Sequence, residues 1–310
     1  MDAFRHHLNG RNSMQRSLLS YLLLIALASI WGASFLFIKI ALQTIPPVSI
    51  AAGRIALAAV FLYGVMRYQG LLLPARGKHW FSIIAVALLG NVLPFTLISF
   101  GERHIDSSLA SMFMATIPFF TILMANFMTQ DEHLTVAKFS GVSIGLAGVV
   151  ALFGPKALLG LGTEVVAQLL VIFGAISYAI SGIVSRNLRE IPKLQTAASI
   201  LLVASITIIP IALVNDQPWT LRPDTKSLFA IGVLGLLSTA AAQLLILKII
   251  QLRDASFLSL NNYLVPVFGI FWGMLVLSER PGPDAGIAFV IILVGLFVSQ
   301  SRFPQFSKST

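Results

Sequence analysis

Residues 18–38 read LLSYLLLIALASIWGASFLFI, with no charged side chain, and at 1.5 Å per residue such a helix covers the roughly 30 Å hydrocarbon core of a bilayer. A turn at Pro46 and Pro47 follows. The chain then enters a second apolar run, residues 48–66, whose one charge is Arg54. The same pattern recurs to the end of the chain, giving predicted spans at 18–38, 48–66, 80–101, 107–129, 136–154, 165–185, 194–214, 227–247, 255–278 and 285–301. Backbone N–H and C=O groups find no water inside lipid, so apolar runs of this length are helices. With 57% hydrophobic residues, 11% charged ones and a mean hydropathy of +0.88, no water-facing fold accommodates the chain. The fold class is an all-α membrane protein of ten transmembrane helices, and no gap between spans is long enough for a soluble domain.

A net charge of +9 in a soluble protein would suggest a nucleic-acid partner. Here the cations fall in the short gaps between spans, where they orient the chain, and nucleic acid is excluded as a partner. With the N-terminus placed in the cytoplasm, and Arg54 set aside inside its span, the lysines and arginines divide fourteen inside to six outside. Both termini are therefore predicted to be cytoplasmic, as tails of residues 1–17 and 302–310. Arg5, Arg11, Arg16 and the Ala26-Leu27-Ala28 triplet imitate a cleavable leader. The apolar run continues ten residues past Ala28, however, as an uncleaved first span would.

The two halves repeat. Ala28-Ser29-Ile30-Trp31 through Lys39 aligns with Ala175-Ile176-Ser177-Tyr178 through Arg186, and Ile45-Pro46 with Ile191-Pro192. Asp106-Ser107-Ser108 and Pro118 align with Asp254-Ala255-Ser256 and Pro266, and Glu132 with Glu279. The repeats cover residues 18–154 and 155–301. Each holds five spans, an odd number, so the second is expected to enter from the opposite face. The halves then lie about a pseudo-twofold axis in the membrane plane, an arrangement suited to alternating access.

Trp31-Gly32-Ala33-Ser34-Phe35 with Lys39, then Pro47 and Arg54-Ile55-Ala56-Leu57-Ala58-Ala59, resembles the EamA-type branch of the drug/metabolite transporter superfamily. Pro118 leading to Glu132-His133-Leu134-Thr135, and Pro266 leading to Ser278-Glu279-Arg280-Pro281, carry the resemblance into both halves. It implies ten helices around a central cavity, export of small metabolites such as amino acids, no cofactor, and residence in a cell membrane, the bacterial inner membrane.

Candidate site residues follow from helical spacing and from the cost of polar groups in lipid. Trp31, Ser34 and Phe35 share a face of the first span, and Tyr178 and Ser181 the matching face of the sixth. Together they predict a pocket in which rings stack on apolar substrate and hydroxyls hold its polar end. Asn91, Gln243, Ser259 and Asn262 are intramembrane polar groups that should point inward to the same space. Lys39 and Arg54 are read as charge or gating residues that either attract a substrate carboxylate or satisfy backbone carbonyls. Glu132 and Glu279 are expected to lock loops at opposite faces through arginine or helix N-termini. Pro118 and Pro266 are paired hinge candidates, and Gly141 and Gly145 form a packing motif. No acid lies deep in any predicted span, so a mid-membrane proton relay has no candidate, although a coupling proton or ion is compatible with a loop acid.

There is no cysteine, no histidine pair at metal-ligand spacing and no phosphate-binding glycine loop. No catalytic or metal site is expected. Phosphorylated or sugar-nucleotide cargo would require two cations in the cavity, and Lys248 is the one further candidate. A membrane enzyme or interaction protein would require His, Asp or Glu clustered at one depth, which the sequence lacks. Fusions of a fluorescent and a periplasmic reporter to either terminus check the orientation: both termini should give the cytoplasmic signal.

Overall fold

The computed structural model describes residues 2–75, 77–129, 134–154, 162–253 and 255–300. Among the described residues ten helices are long and apolar enough to cross a membrane: α1 (Leu18–Ala41), α2 (Pro47–Tyr68), α3 (His79–Gly101), α4 (Ser107–Met128), α5 (Val136–Phe153), α6 (Thr163–Leu188), α7 (Lys193–Asn215), α8 (Thr225–Leu252), α9 (Phe257–Leu277) and α10 (Pro283–Gln300). No strand occurs among the described residues. The backbone upstream of α1 is helical as far as Asp2, so the segment expected as a tail continues the first helix.

Local sequence explains the entries and interruptions. Pro46 (φ −67°, ψ 156°) precedes α2 in extended conformation, and Pro192 (φ −51°, ψ 130°) does the same for α7, its counterpart in the repeat. Pro47, in the first turn of α2, gives up an N–H that has no intrahelical partner there in any case. The other interruptions also come in pairs. Helices α3 and α8 each widen into a π-helical stretch, at Leu88–Val92 and Val233–Ala241, a distortion that loosens the regular backbone ladder.

Helices α4 and α9 are both broken, but not at equivalent prolines. In α4 the break falls at Ala115 and Thr116, whose N–H groups bond three residues back at 3.1 Å. Pro118 is the second residue of the following segment, Ile117–Met128. In α9 the interruption is at Leu260, and Pro266 lies inside the continuous segment Asn261–Leu277. The two hinge candidates therefore sit in different backbone settings. Ser259 and Asn262, both expected to point inward to the same space, are separated by that interruption.

Packing follows the repeat. Exchanging α1 to α5 with α6 to α10 turns the α1–α9 contact into α6–α4, α3–α6 into α8–α1, and α2–α8 into α7–α3; all six are packed. The pairs α2–α7, α4–α9 and α5–α10 map onto themselves, and they are packed as well. Among helices distant in sequence, and apart from α5 and α10, one contact breaks the pattern. Helix α1 packs against α4, whereas its counterpart, α6 against α9, is sparse among the described residues. The molecule is thus closed where α1 meets α4 and open where α6 faces α9.

The α5–α10 seam stands to one side of this arrangement. A methyl group at Gly141 would collide with Ser299, one at Gly148 with Ile292, and one at Gly295 with the backbone of Gly141 and Gly145. At Gly145 the collision is with the ring of Phe119, which is fully buried. These glycines let two backbones approach where lipid supplies no hydrophobic drive between helices. Gly145→Val should lower thermal stability in detergent by about 1–3 kcal/mol, as overpacking does. Gly286→Ala, where a methyl group meets nothing within 4 Å, should leave the melting temperature unchanged in the same assay.

Candidate functional site

The two halves enclose a cavity of about 620 Å³, lined by eight helices, with α5 and α10 contributing nothing. Of the residues singled out from the sequence, Trp31, Ser34, Phe35, Arg54, Asn91, Tyr178, Ser181 and Gln243 line it. Lys39, Pro118, Ser259, Asn262, Pro266 and Glu279 do not. Glu132 lies outside the described residues.

The cavity reaches from Ile38 and Ile98 to Ser185, Ala197, Ile246 and Leu258. Those last four residues stand near the end of α6, the start of α7, the end of α8 and the start of α9, so the mouth faces the side where α6 and α9 are apart.

The π-helical stretches shape its walls. Asn91 Nδ2 and Thr239 Oγ1 each donate to the carbonyl five residues back, Val86 at 3.5 Å and Leu234 at 2.8 Å. Carbonyls of these stretches also accept from the facing helices. The Leu89 oxygen receives Ser177 Oγ at 2.7 Å, and the Ser238 oxygen receives Trp31 Nε1 at 3.2 Å. The aromatic side chain on α1 is thereby oriented by irregular backbone in α8.

Arg54 is 5% exposed, and its Nε donates to Thr239 Oγ1 at 3.0 Å. Its guanidinium carbon lies 3.6 Å from the centroid of the Phe95 ring, which meets the Tyr178 ring edge-on at 6.3 Å. A cation over a ring face is attracted by the ring quadrupole, more strongly when water is excluded. No carboxylate among the described residues forms an ion pair with Arg54. The cavity is mainly apolar and aromatic, with a positive charge, two amides and several hydroxyls. It can hold an amphiphile whose polar end is anionic.

The other end of the bundle is sealed. Ile38, Ala41, Ile45, Ile98, Ile105, Ala110 and Phe113 belong to one buried cluster there. Ser278 adopts a left-handed conformation (φ 57°) that turns the chain at the end of α9, and Glu279 follows it. The Glu279 carboxylate receives Ser107 N at 2.9 Å, Ser107 Oγ at 2.8 Å and Ser108 N at 2.8 Å, together with a short bond from Ser108 Oγ. An anion on the first N–H groups of α4 is a favourable charge-assisted arrangement, and it ties the second half to the first. Lys39 does not simply reach out to the interface. Its Nζ donates to the carbonyls of Glu102 and Ile105, both at 2.7 Å, fastening the end of α1 to the turn between α3 and α4.

Reasoning from sequence missed three residues here. Phe95, under Arg54, is one phenylalanine among 22 and carries no signal of its own. Asn261 is 2% exposed with both amide atoms unpartnered, while attention fell on its neighbour Asn262. Glu102, just past the end of α3, is a buried acid that the sequence did not single out: it is 0% exposed, and neither carboxylate oxygen has a partner among the described residues. The available signal was that the α1 cation Lys39 and an acid closing α3 fall on the same face.

Comparison with known proteins agrees with this architecture. A protein of known crystal structure, 18% identical, superposes with a TM-score of 0.65 over 91% of this chain and 96% of its own. Uncharacterized transporter YoaV of Bacillus subtilis is 24% identical, with 91% of this chain and 97% of the relative covered. The uncharacterized inner membrane transporter YedA of Escherichia coli K12 is also 24% identical, over 88% and 89%. An S-adenosylmethionine/S-adenosylhomocysteine transporter of Chlamydia trachomatis serovar L2 is 26% identical, over 86% and 84%. The EamA-like transporter family model matches residues 18–154 and again 165–300, so one pattern describes each half, and the protein belongs to the EamA-like transporter family.

Proposed function

We propose that this multi-pass membrane transporter exports small amphiphilic metabolites bearing a carboxylate, amino acids or their conjugates, by alternating access through the central cavity. The observation that carries the reading is Arg54. It is a cation without a carboxylate partner among the described residues, set beside Phe95, Tyr178 and Trp31 in a cavity otherwise mostly apolar. An unpaired cation in such surroundings is costly and calls for an anionic guest. At about 620 Å³ the space is within the range of pockets that enclose small organic ligands.

Direction and mechanism rest on the asymmetry of the bundle. The charge bias of the loops assigns the cavity mouth to the cytoplasm and the end sealed by Glu279 to the outside. Such a state is loaded from within. Paired packing about the exchange of halves supports the inverted repeat, because five spans per half reverse the second unit. The opposite opening then arises when the α6–α9 and α1–α4 contacts trade places.

The chlamydial relative, by its name, carries molecules that join an amino acid to an aromatic base. That chemistry suits rings and a cation in one cavity, and it places such conjugates beside free amino acids as candidates. Phosphorylated or sugar-nucleotide cargo is disfavoured. Lys248 is exposed and does not line the cavity, which leaves one cation for at least two negative charges.

Proteoliposomes loaded with labelled amino acids test the reading by efflux. Wild-type protein should move carboxylate-bearing aromatic or aliphatic solutes faster than their carboxamide analogues. Arg54→Gln should reduce the flux of the acids by about tenfold or more, the weight of a hydrogen bond to a charged group, and should erase the preference for acid over amide. Equal flux of acid and amide through wild-type protein would reject the carboxylate assignment, and absence of flux for every amphiphile tried would reject the transport reading.

A further inference from the structure

Glu102 is the first residue beyond α3. It is fully enclosed, and its two carboxylate oxygens meet no donor among the described residues. An ionised carboxylate in that position would forfeit its hydration with no hydrogen bond in return, whereas the protonated acid is neutral. The nearest cation does not remove the difficulty. The Lys39 ammonium is spent on the main-chain oxygens of Glu102 and Ile105 and makes no bond to the Glu102 carboxylate. Burial pushes the Glu102 carboxyl well above the ordinary carboxylate range; Lys39 opposes this, Glu279 adds to it and Arg54 opposes it more weakly.

The other neighbours supply no donor in place of water. Glu279, on the segment following α9, is held on the N-terminus of α4. Asp106 of the same turn is itself raised by desolvation and by Glu279. On α6, packed against this end of α3 where Gly101 meets Ala167 and Val171, the polar side chain is Gln168. It is 2% exposed, and its Oε1 too has no partner. An acid with unpartnered oxygens at the closed end of an alternating bundle is placed to exchange a proton each time that end opens.

We propose that Glu102 is a proton-binding site that couples the closure of the Lys39–Glu279 end to proton occupancy. While the end is sealed, the side chain is the neutral acid. When α1 and α4 separate, water enters, the proton leaves to water at that face, and Lys39 faces a newly formed carboxylate. On closing, the carboxylate takes a proton back from water at the same face. The O–H bond of the acid is the one covalent bond made and broken, and its proton goes to and comes from water. The sealed form binds the proton more tightly than the open form, so low pH favours sealing. As pH rises between the open-state and sealed-state pKa values, the open fraction grows by up to about tenfold per pH unit for one proton. This inference rests on the alternating-access reading and adds to it a pH-dependent bias toward the sealed state.

The protein has no cysteine, so one reporter thiol is unambiguous. Ser99→Cys, nearly isosteric and one turn before Glu102, replaces a residue 1% exposed. It should react with an impermeant maleimide added from the Lys39 face only when that end opens. Labelling rates are compared across about pH 5 to pH 9 in otherwise wild-type protein and in the Glu102→Gln background; the titration of the thiol itself is common to both. The expected result is a labelling ratio, wild type over Glu102→Gln, that climbs at least tenfold across the range.

A ratio flat with pH overturns the site. Should Glu102→Gln not fold, Glu102→Asp replaces it, and a wild-type rate that follows only the thiol's own titration overturns the site equally. The two proposals fail differently. Solute flux with a flat ratio removes Glu102 as the proton site and leaves the carrier, whereas absence of flux for any solute removes the carrier itself.

Discussion

Polar backbone inside a bilayer has to find its partners within the protein, and that constraint governs where this chain is regular and where it is not. Helices satisfy it span by span, and so the apolar runs alone dictate ten of them. Departures are tolerated only where a neighbouring helix or a cavity supplies the missing contacts. The π-helical stretches of α3 and α8 obey that rule. Their carbonyls bond Ser177 and Trp31 from the facing helices, and Asn91 and Thr239 answer the carbonyls five residues back. Irregularity is concentrated where the halves meet, and of these residues Trp31, Asn91, Ser238 and Thr239 line the cavity.

From this follows a division of labour. Helices α5 and α10 form a glycine-notched pair that contributes no wall to the cavity. The other eight surround it, and their contacts come in pairs under exchange of the halves, except where α1 packs on α4 without an equally close α6–α9 partner. A carrier working between two openings related by a pseudo-twofold axis needs near-equal packing energies in both, and shared sequence in the two halves is an economical route to that. On the alternating-access reading, the bonds at the closed end, from Glu279 to α4 and from Lys39 to the α3–α4 turn, are the specific polar contacts that have to break on opening.

Much of this was legible in the sequence because the underlying rules are one-dimensional. Span length, loop charge and the matched Trp31/Tyr178 and Ile45-Pro46/Ile191-Pro192 positions need no knowledge of distant contacts. The cavity faces of α1 and α6 follow from helical spacing, since both helices are regular through Trp31 to Phe35 and Tyr178 to Ser181. Reasoning failed where the backbone leaves that spacing. Beyond the interruption at Leu260 it is Asn261 that is buried, and neither it nor Asn262 lines the cavity. Pro118 and Pro266 align in sequence, but one follows a break and the other lies within a helix. Glu102 carries no sequence signal of burial, because an acid next to an arginine, just past an apolar run, reads as a solvated loop; α1, through Lys39, and α6, against Gly101, close on this end of α3 from elsewhere in the chain.

The central claim is that one cavity, shared by both halves, is reached by water from each face in turn. The most direct test places single cysteines at Ser34 and Ser181, repeat-related positions on opposite walls of that cavity. In intact cells and in inverted vesicles, each is exposed in turn to an impermeant thiol reagent. The account predicts that both cysteines are modified from both faces, and that a transported solute slows the reaction from either. Modification from one face alone, under conditions where solute crosses the membrane, would contradict it.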